Sequence, residues 1–171
     1  MSIPVGAALC DVGTGAGFPG AALLIADPRL RITLFDSVNK KLEFIRNTLK
    51  ELDLHADIVT IRAEDAGKTA IYRERFDVVT ARAVASLNVL AEYCVPLVKS
   101  GGVFAPLKAP LSQQEEQRGC GAAAHLGAAT ERKERYNLPD GSEREVIVFR
   151  KKRATEARYP RNQAQISKKP L

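Results

Sequence analysis

The run Asp11–Gly20, DVGTGAGFPG, places four glycines within eight residues, directly behind the apolar stretch VGAALCDV (5–12). An apolar strand that empties into so bare a turn raises the question of what the exposed main chain binds. Without Cβ atoms the turn closes tightly and a ligand can reach the main chain. Pro19 suits the first turn of a helix, and the reading places one from there to about Ala26. Strand, glycine turn and helix in this order begin a nucleotide-binding α/β fold. The plain alternative is an ordinary strand-to-helix turn. A dinucleotide fingerprint would be G-x-G-x-x-G, but Phe18 holds the third glycine position, with Gly17 and Gly20 to either side. A P-loop would need Gly-Lys-Ser/Thr, which is absent, so pyrophosphate ligands fit poorly.

Working outward, strand-like and helix-like segments alternate. Strands are expected at RITLFD (31–36), ADIVTIRA (56–63), FDVVTARA (76–83) and GGVFAPLKA (101–109), the last behind a Gly-Gly stop. Leu42, Ile45, Leu49 and Leu52 stand at three- and four-residue spacing, which makes 37–54 an amphipathic helix with Ser37 as N-cap. Residues 86–99 form a second helix, with Leu87, Leu90, Ala91 and Cys94 on one face, and 111–126 a third. The stretch 131–152 is a hairpin around an Asp-Gly turn. The alternation gives a doubly wound α/β fold of the Rossmann kind: a mostly parallel seven-stranded sheet, helices on both faces, an antiparallel C-terminal hairpin. Residues 1–152 are assigned to this domain and 153–171 to a basic, irregular tail.

Two acidic positions sharpen the ligand. Asp36 ends the second strand, where a carboxylate can accept from both ribose hydroxyls of a nucleoside; its competing role is to cap the next helix. Glu64, behind Ala63 at the end of the third strand, can accept from an exocyclic amine while Ala63 lies against adenine. Glycine turn, ribose acid and adenine edge at three strand ends suit a nucleoside lacking phosphates, and S-adenosylmethionine is such a ligand.

Charge and composition set the surroundings. The 171 residues carry a net charge of +6, but 150–171 hold eight basic residues against one acid, so the remainder is at −1. Arg158, Arg161, Lys168 and Lys169 then read as a phosphate-seeking arm, against the plain reading of a solubilising tail. The three cysteines are odd in number and widely spaced, which argues against a zinc site and fits a reducing cytoplasm. No apolar run reaches the ~20 residues a membrane span needs. A cytoplasmic monomer with neither metal nor membrane is expected.

The run DVGTGAGFPG, with LFDS, RAED, FDVVTARAVASLNVLAEYCVPLVKSGG and the ending YPRNQAQISKKPL, resembles the glucose-inhibited division protein B family of small-subunit rRNA methyltransferases. The resemblance covers essentially the whole chain. It implies a class I methyltransferase that uses S-adenosylmethionine to methylate N7 of a guanine in bacterial 16S rRNA, alone or in the small ribosomal subunit. By matching motif, Gly13 and Phe18 line the cofactor pocket, with Ala63 and Glu64 flanking the adenine and the Arg82 of TARA beside them; Gly15 of the glycine turn and Asp36 join the expected cofactor site on the reading of the residues themselves. Three departures accompany it. Members carry a helical segment before the glycine strand, whereas Met1 here lies almost on it, so a truncated or unusually started chain is expected. PLKAP (106–110) stands where the family tends to show Lys-Gly. CGAAAHLGAA is an uninformative small-residue stretch.

Guanine N7 is a bare lone pair at neutral pH, so the transfer is an in-line displacement that needs position rather than a general base. His55 and His125, the only histidines, read as structural or exposed. The Asn/Asp-Pro-Pro-aromatic loop of N6-adenine transfer is absent after the fourth strand. Arg82, at that strand's end, is assigned a positioning role, against a surface salt bridge. Lys108 is assigned to RNA phosphate, against a solvated strand end. Two alternatives stay open: a methyltransferase acting on a small molecule or a protein, and a truncated, non-catalytic RNA-binding module. A nicotinamide oxidoreductase is disfavoured by Phe18 and by the lack of a catalytic His or Tyr-Lys pair.

Overall fold

A computed structural model describes residues 3–171. Seven strands form one sheet: β1 (Ala8–Val12), β2 (Arg31–Asp36), β3 (Asp57–Thr60), β4 (Phe76–Arg82), β5 (Val98–Lys108), β6 (Ala128–Asn137) and β7 (Glu143–Lys151). Their spatial order is β3-β2-β1-β4-β5-β7-β6. β1 to β5 are parallel and β7 joins antiparallel to both β5 and β6. The direction of winding reverses between β1 and β4, which is where such sheets open a crevice beyond their carboxyl ends.

Side chains alternate across the pleat and build a core on each face. On one face Leu9, Leu34, Val78, Val103 and Val148 are buried beneath α1 (Gly20–Ala26) and α2 (Asn39–Glu51). On the other, Cys10, Val79, Phe104 and Phe149 lie beneath α4 (Leu87–Cys94) and α5 (Gln113–His125). The stripe expected on α2 buries Leu42, Ile45 and Leu49, whereas Leu52 falls just past the helix end and stays exposed. Leu87, Leu90, Ala91 and Cys94 of α4 are all buried, as their spacing requires.

The structure departs from the sequence expectations at three places. Ser37 is not the cap of α2: the helix starts after Val38, with no side-chain cap, and Asp36 accepts from the Val38 N–H instead. Gly101–Gly102 do not open β5, which begins at Val98 and runs through them. Gly101 sits at φ +80°, and the pairing with β4 slips between Phe76 and Val78, so the glycines absorb an irregularity within the strand.

The third departure is the largest. Residues 153–171, expected as an irregular tail, are folded back on the domain. Tyr159 and Ile166 are buried, and residues 163–168 form α6 (Gln163–Lys168), closed by a reciprocal Asn162–Gln165 capping box. Arg73 donates to the carbonyls of Tyr159 and Thr155, both at 2.7 Å. Buried Lys151 donates to the Val95 carbonyl and to Thr155 Oγ1, and pairs with Glu74 at 3.1 Å. Arg161 grips Glu92, which is wholly buried on α4, through Nε at 2.8 Å and Nη2 at 2.6 Å. Asn88 Nδ2 donates to the carbonyl of Leu171. The order here comes from partners some 70 to 85 residues away in sequence, which no local pattern announces.

Candidate active site: a crevice and a basic cavity at the switch point

The glycine turn is held from beneath by two carboxylates. Asp11, buried at the end of β1, accepts from Thr14 Oγ1 at 2.7 Å and from the Gly20 N–H at 2.9 Å. Burial, opposed by these hydrogen bonds, pushes its carboxyl up to about 6. Its Oδ1 atom has no hydrogen-bond partner among the described residues. Asp36 reaches across from β2 and accepts from the Gly15 N–H at 3.0 Å through Oδ2, and from the Val38 N–H at 2.9 Å through Oδ1. Asp36 thus holds the approach to α2 without capping it, since neither N–H it accepts from belongs to the first turn of the helix. Each oxygen of a carboxylate still keeps a further lone pair for a ligand hydroxyl.

Gly13 shows why this turn excludes side chains. Its φ is +68°, and a Cβ there would come within 2.6 Å of Val84 Cγ2 from the loop after β4.

A crevice of about 350 Å³ opens above the turn. Gly13, Asp36, Ala63 and Glu64 all line it, so four of the expected cofactor residues come together from β1, β2 and the start of α3 (Ala63–Ala66). Gly15, Phe18 and Arg82 do not line it. Gly15 serves as the backbone donor to Asp36. Phe18 is half exposed, and its ring carries the Arg82 guanidinium 5.3 Å from its centroid. Tyr93 of α4 closes the crevice behind Glu64; burial first, then the charge of Glu64, raises its phenol.

A second cavity, of about 570 Å³, lies beyond β4 and β5, and Arg82, Lys108, Tyr136 and Arg144 line it. Ala83 belongs to both walls. It holds a left-handed backbone at φ +55°, a conformation that costs a residue with a Cβ about 1–3 kcal/mol and tends to mark working sites. Lys108 is committed on two sides, donating to the Ala85 carbonyl and pairing with Glu115, both at 3.0 Å. Neither histidine is in either cavity: His55 lines a separate hollow beside α2, and His125 is hydrogen-bonded to the Tyr159 hydroxyl at 2.8 Å.

Of the basic residues assigned to RNA, Arg161 is spent on Glu92, while Lys168, Lys169 and Arg158 are exposed, the last ion-paired with Glu156. Sequence reasoning missed Asp11, Val84, Ala83, Tyr93 and Gln163. Asp11 could have been found, as the acid that opens the quoted run; the others carry no local signal.

The crevice fits the donor that the sequence suggested. It offers carboxylates at the β2 and β3 ends, the small face of Ala63, an aromatic wall and a glycine turn, in a volume within the usual range for small-molecule sites. A doubly wound sheet with a crevice of this kind at its switch point defines a class I methyltransferase, whose methyl donor is S-adenosylmethionine. Solved structures agree on the fold. A methyltransferase from Pyrococcus furiosus superposes with TM-score 0.67 at 16% identity, over 87% of this chain and 77% of that one. A SAM-dependent O-methyltransferase from Thermotoga maritima gives TM-score 0.62 at 14% identity, over 89% and 62%.

The family follows from sequence. The profile of the GidB family, rRNA small subunit methyltransferase G, matches residues 3–140, and the chain belongs to that family. Proteins named Ribosomal RNA small subunit methyltransferase G are 45% identical in Lactobacillus acidophilus, over 97% of this chain and 70% of the relative, and 44% identical in Staphylococcus aureus, over 95% and 69%.

Proposed function

We propose that this chain transfers a methyl group from S-adenosylmethionine to N7 of a guanine in bacterial 16S rRNA, acting as a monomer in the cytoplasm. The observation that carries the reading is the meeting of two cavities at Ala83: one holds Asp36 and Glu64 at the strand ends, alongside Lys41 and Arg62, and the other holds Arg82, Lys108 and Arg144 against a single acid, Glu115.

In this reading the adenosine lies in the crevice. Asp36 takes the ribose hydroxyls, Ala63 and Glu64 flank the adenine, and Gly13 leaves room beside the sulfonium. The target nucleotide enters the second cavity. Tyr136 offers a face on which a base can stack, and Arg82 and Arg144 offer planar forks for guanine O6 or phosphate. Lys108, with two of its three N–H groups occupied, keeps one for phosphate. The bound donor supplies an electrophilic methyl, which the N7 lone pair takes as the carbon–sulfur bond breaks with its electrons left on sulfur. No proton has to leave first, so the chain's task is to align the partners and exclude water. The absence of histidine from both cavities is consistent with this chemistry.

The test is mass spectrometry of 16S rRNA fragments after incubation with the protein and S-adenosylmethionine. One fragment should gain a single methyl on guanine, and the RNA should cleave at that nucleotide after borohydride reduction and aniline treatment, to which the cationic N7-methylated ring is susceptible; transfer to another base, or to protein or small molecules only, would overturn the reading. Exposed Lys168 and Lys169 should add affinity through phosphate. Replacing both by alanine is expected to lower the slope of log affinity against log salt by about 1.5, with no change in the nucleotide chosen.

A further inference from the structure

One residue of the crevice wall comes from an unexpected place. Gln163, the first residue of α6, lines the crevice although it lies about 100 residues beyond Glu64. Its Oε1 accepts from Arg62 Nη1 at 2.6 Å. Arg62 immediately precedes Ala63 and also lines the crevice, so Gln163 stands at the β3 side of the opening, away from Gly13 and Ala83.

Its position is not left to chance. Three anchors fix the short segment that carries it: Arg161 on buried Glu92, the Asn162–Gln165 capping box, and Ile166 in the core. The segment is thus a strap from the C-terminus whose one contribution to the crevice is a carboxamide at its mouth.

We propose that Gln163 is a specificity-determining residue of the donor site, reading the edge of the adenine. The proposal rests on the reading of the crevice as the S-adenosylmethionine seat. A carboxamide presents one acceptor and one donor side by side, which complements the N6 amine and the neighbouring ring nitrogen of adenine. Taken at N6 and N7, the pattern is reversed at one position in hypoxanthine, which carries a carbonyl at C6 and keeps N7 as an acceptor. Glu64 and Asp36 can only accept and Arg62 can only donate; the hydroxyls of Ser37 and Tyr93 can do either through one atom, but the Gln163 carboxamide holds a separate donor and acceptor side by side in one plane. With no ligand, the acceptor half is satisfied by Arg62, which keeps the amide at the mouth and leaves its NH2 free to donate.

The experiment is calorimetric titration of the full-length protein with S-adenosylhomocysteine and with its hypoxanthine counterpart, S-inosylhomocysteine, alongside thermal melting without ligand. Gln163 is exposed, so Gln163→Ala should leave the melting temperature unchanged. It should weaken S-adenosylhomocysteine by about three- to tenfold, the effect of one hydrogen bond, and leave the inosine analogue within twofold. The preference for adenine therefore narrows. Equal weakening of both ligands, or of neither, overturns the assignment. Asp36→Ala separates the two levels of the argument. If it abolishes binding while Gln163→Ala changes nothing, only the role of Gln163 falls. If both variants bind as the parent does, the crevice is not the donor seat.

Discussion

The glycine turn and the C-terminal strap meet at the same crevice, and they are built in opposite ways. The turn is mostly local: strand, glycines, acid and helix lie within about ten residues, its hydrogen bonds from Thr14 and Gly20 return to Asp11 in the same run, and β2 adds only the contacts of Asp36 and the Phe35 carbonyl. The local order of the strap is confined to the short α6 and its capping box. Its backbone is held by Arg73, Glu74, Asn88 and Glu92, residues from the middle of the chain. The turn is specified by backbone permission, the strap by buried charge. The difference teaches where each is vulnerable: the turn to a single methyl group, the strap to the loss of one ion.

The sharpest way to break the comparison is Arg161→Ala. Glu92 has no exposure and would keep only the backbone N–H of residue 161. Removing one partner of a buried pair leaves an uncompensated charge and costs about 3–5 kcal/mol. Urea denaturation should show that loss, and a variant within about 1 kcal/mol of the parent would place the strap's stability elsewhere.

Next comes the acid beneath the turn. Asp11 is raised in the folded state from 3.8 to about 6, mainly by burial. The folded protein therefore holds the proton more tightly than the unfolded chain, and stability falls as pH rises from about 4 through 6. Asp11→Asn removes the titration. Relative to the parent, its stability should improve by about 2–3 kcal/mol between pH 4 and pH 7, set by the size of the shift. Parallel stability curves for the two proteins would refute this.

Gly13→Ala tests the turn directly. It forces a Cβ into a left-handed backbone and against Val84. Expected are a loss of about 2 kcal/mol in stability and, by calorimetry, S-adenosylhomocysteine binding weakened at least about tenfold, with the strap untouched.

The smallest effect runs the other way. Ala83→Gly relieves the positive φ at the junction of the two cavities. It should stabilise the fold by up to about 1 kcal/mol and slow methyl transfer, because the loop between donor and target loses its fixed path. An unchanged rate would show that the strain at Ala83 serves no catalytic purpose.

The comparison also explains what could be read in advance. The strand-like runs 76–83 and 101–109, and the spacing of Leu42, Ile45 and Leu49, announced the sheet and its helices, because apolar runs and periodicity are local properties. That Gly13, Asp36, Ala63 and Glu64 share one crevice was legible because each stands at or just beyond a strand end, and strand ends converge in a doubly wound sheet. Ser37 was misread as a cap because the helix begins one residue later than its position requires: Val38 takes the N-cap place, and Asp36 holds the Val38 N–H from the end of a strand. Arg161 looked like one more free cation in a basic run, since nothing near it in sequence reveals a buried glutamate on α4.

The sequence by itself thus determined the winding of the sheet, the glycine turn and the acids above it, all set by backbone sterics and hydrophobic period within a few residues. Only the tertiary structure decided that the last nineteen residues form a strap, that Gln163 enters the crevice, and that two cavities share Ala83. Those outcomes depend on which distant groups a buried charge or a chain end can reach, and that is fixed only when the sheet has closed the distance between them.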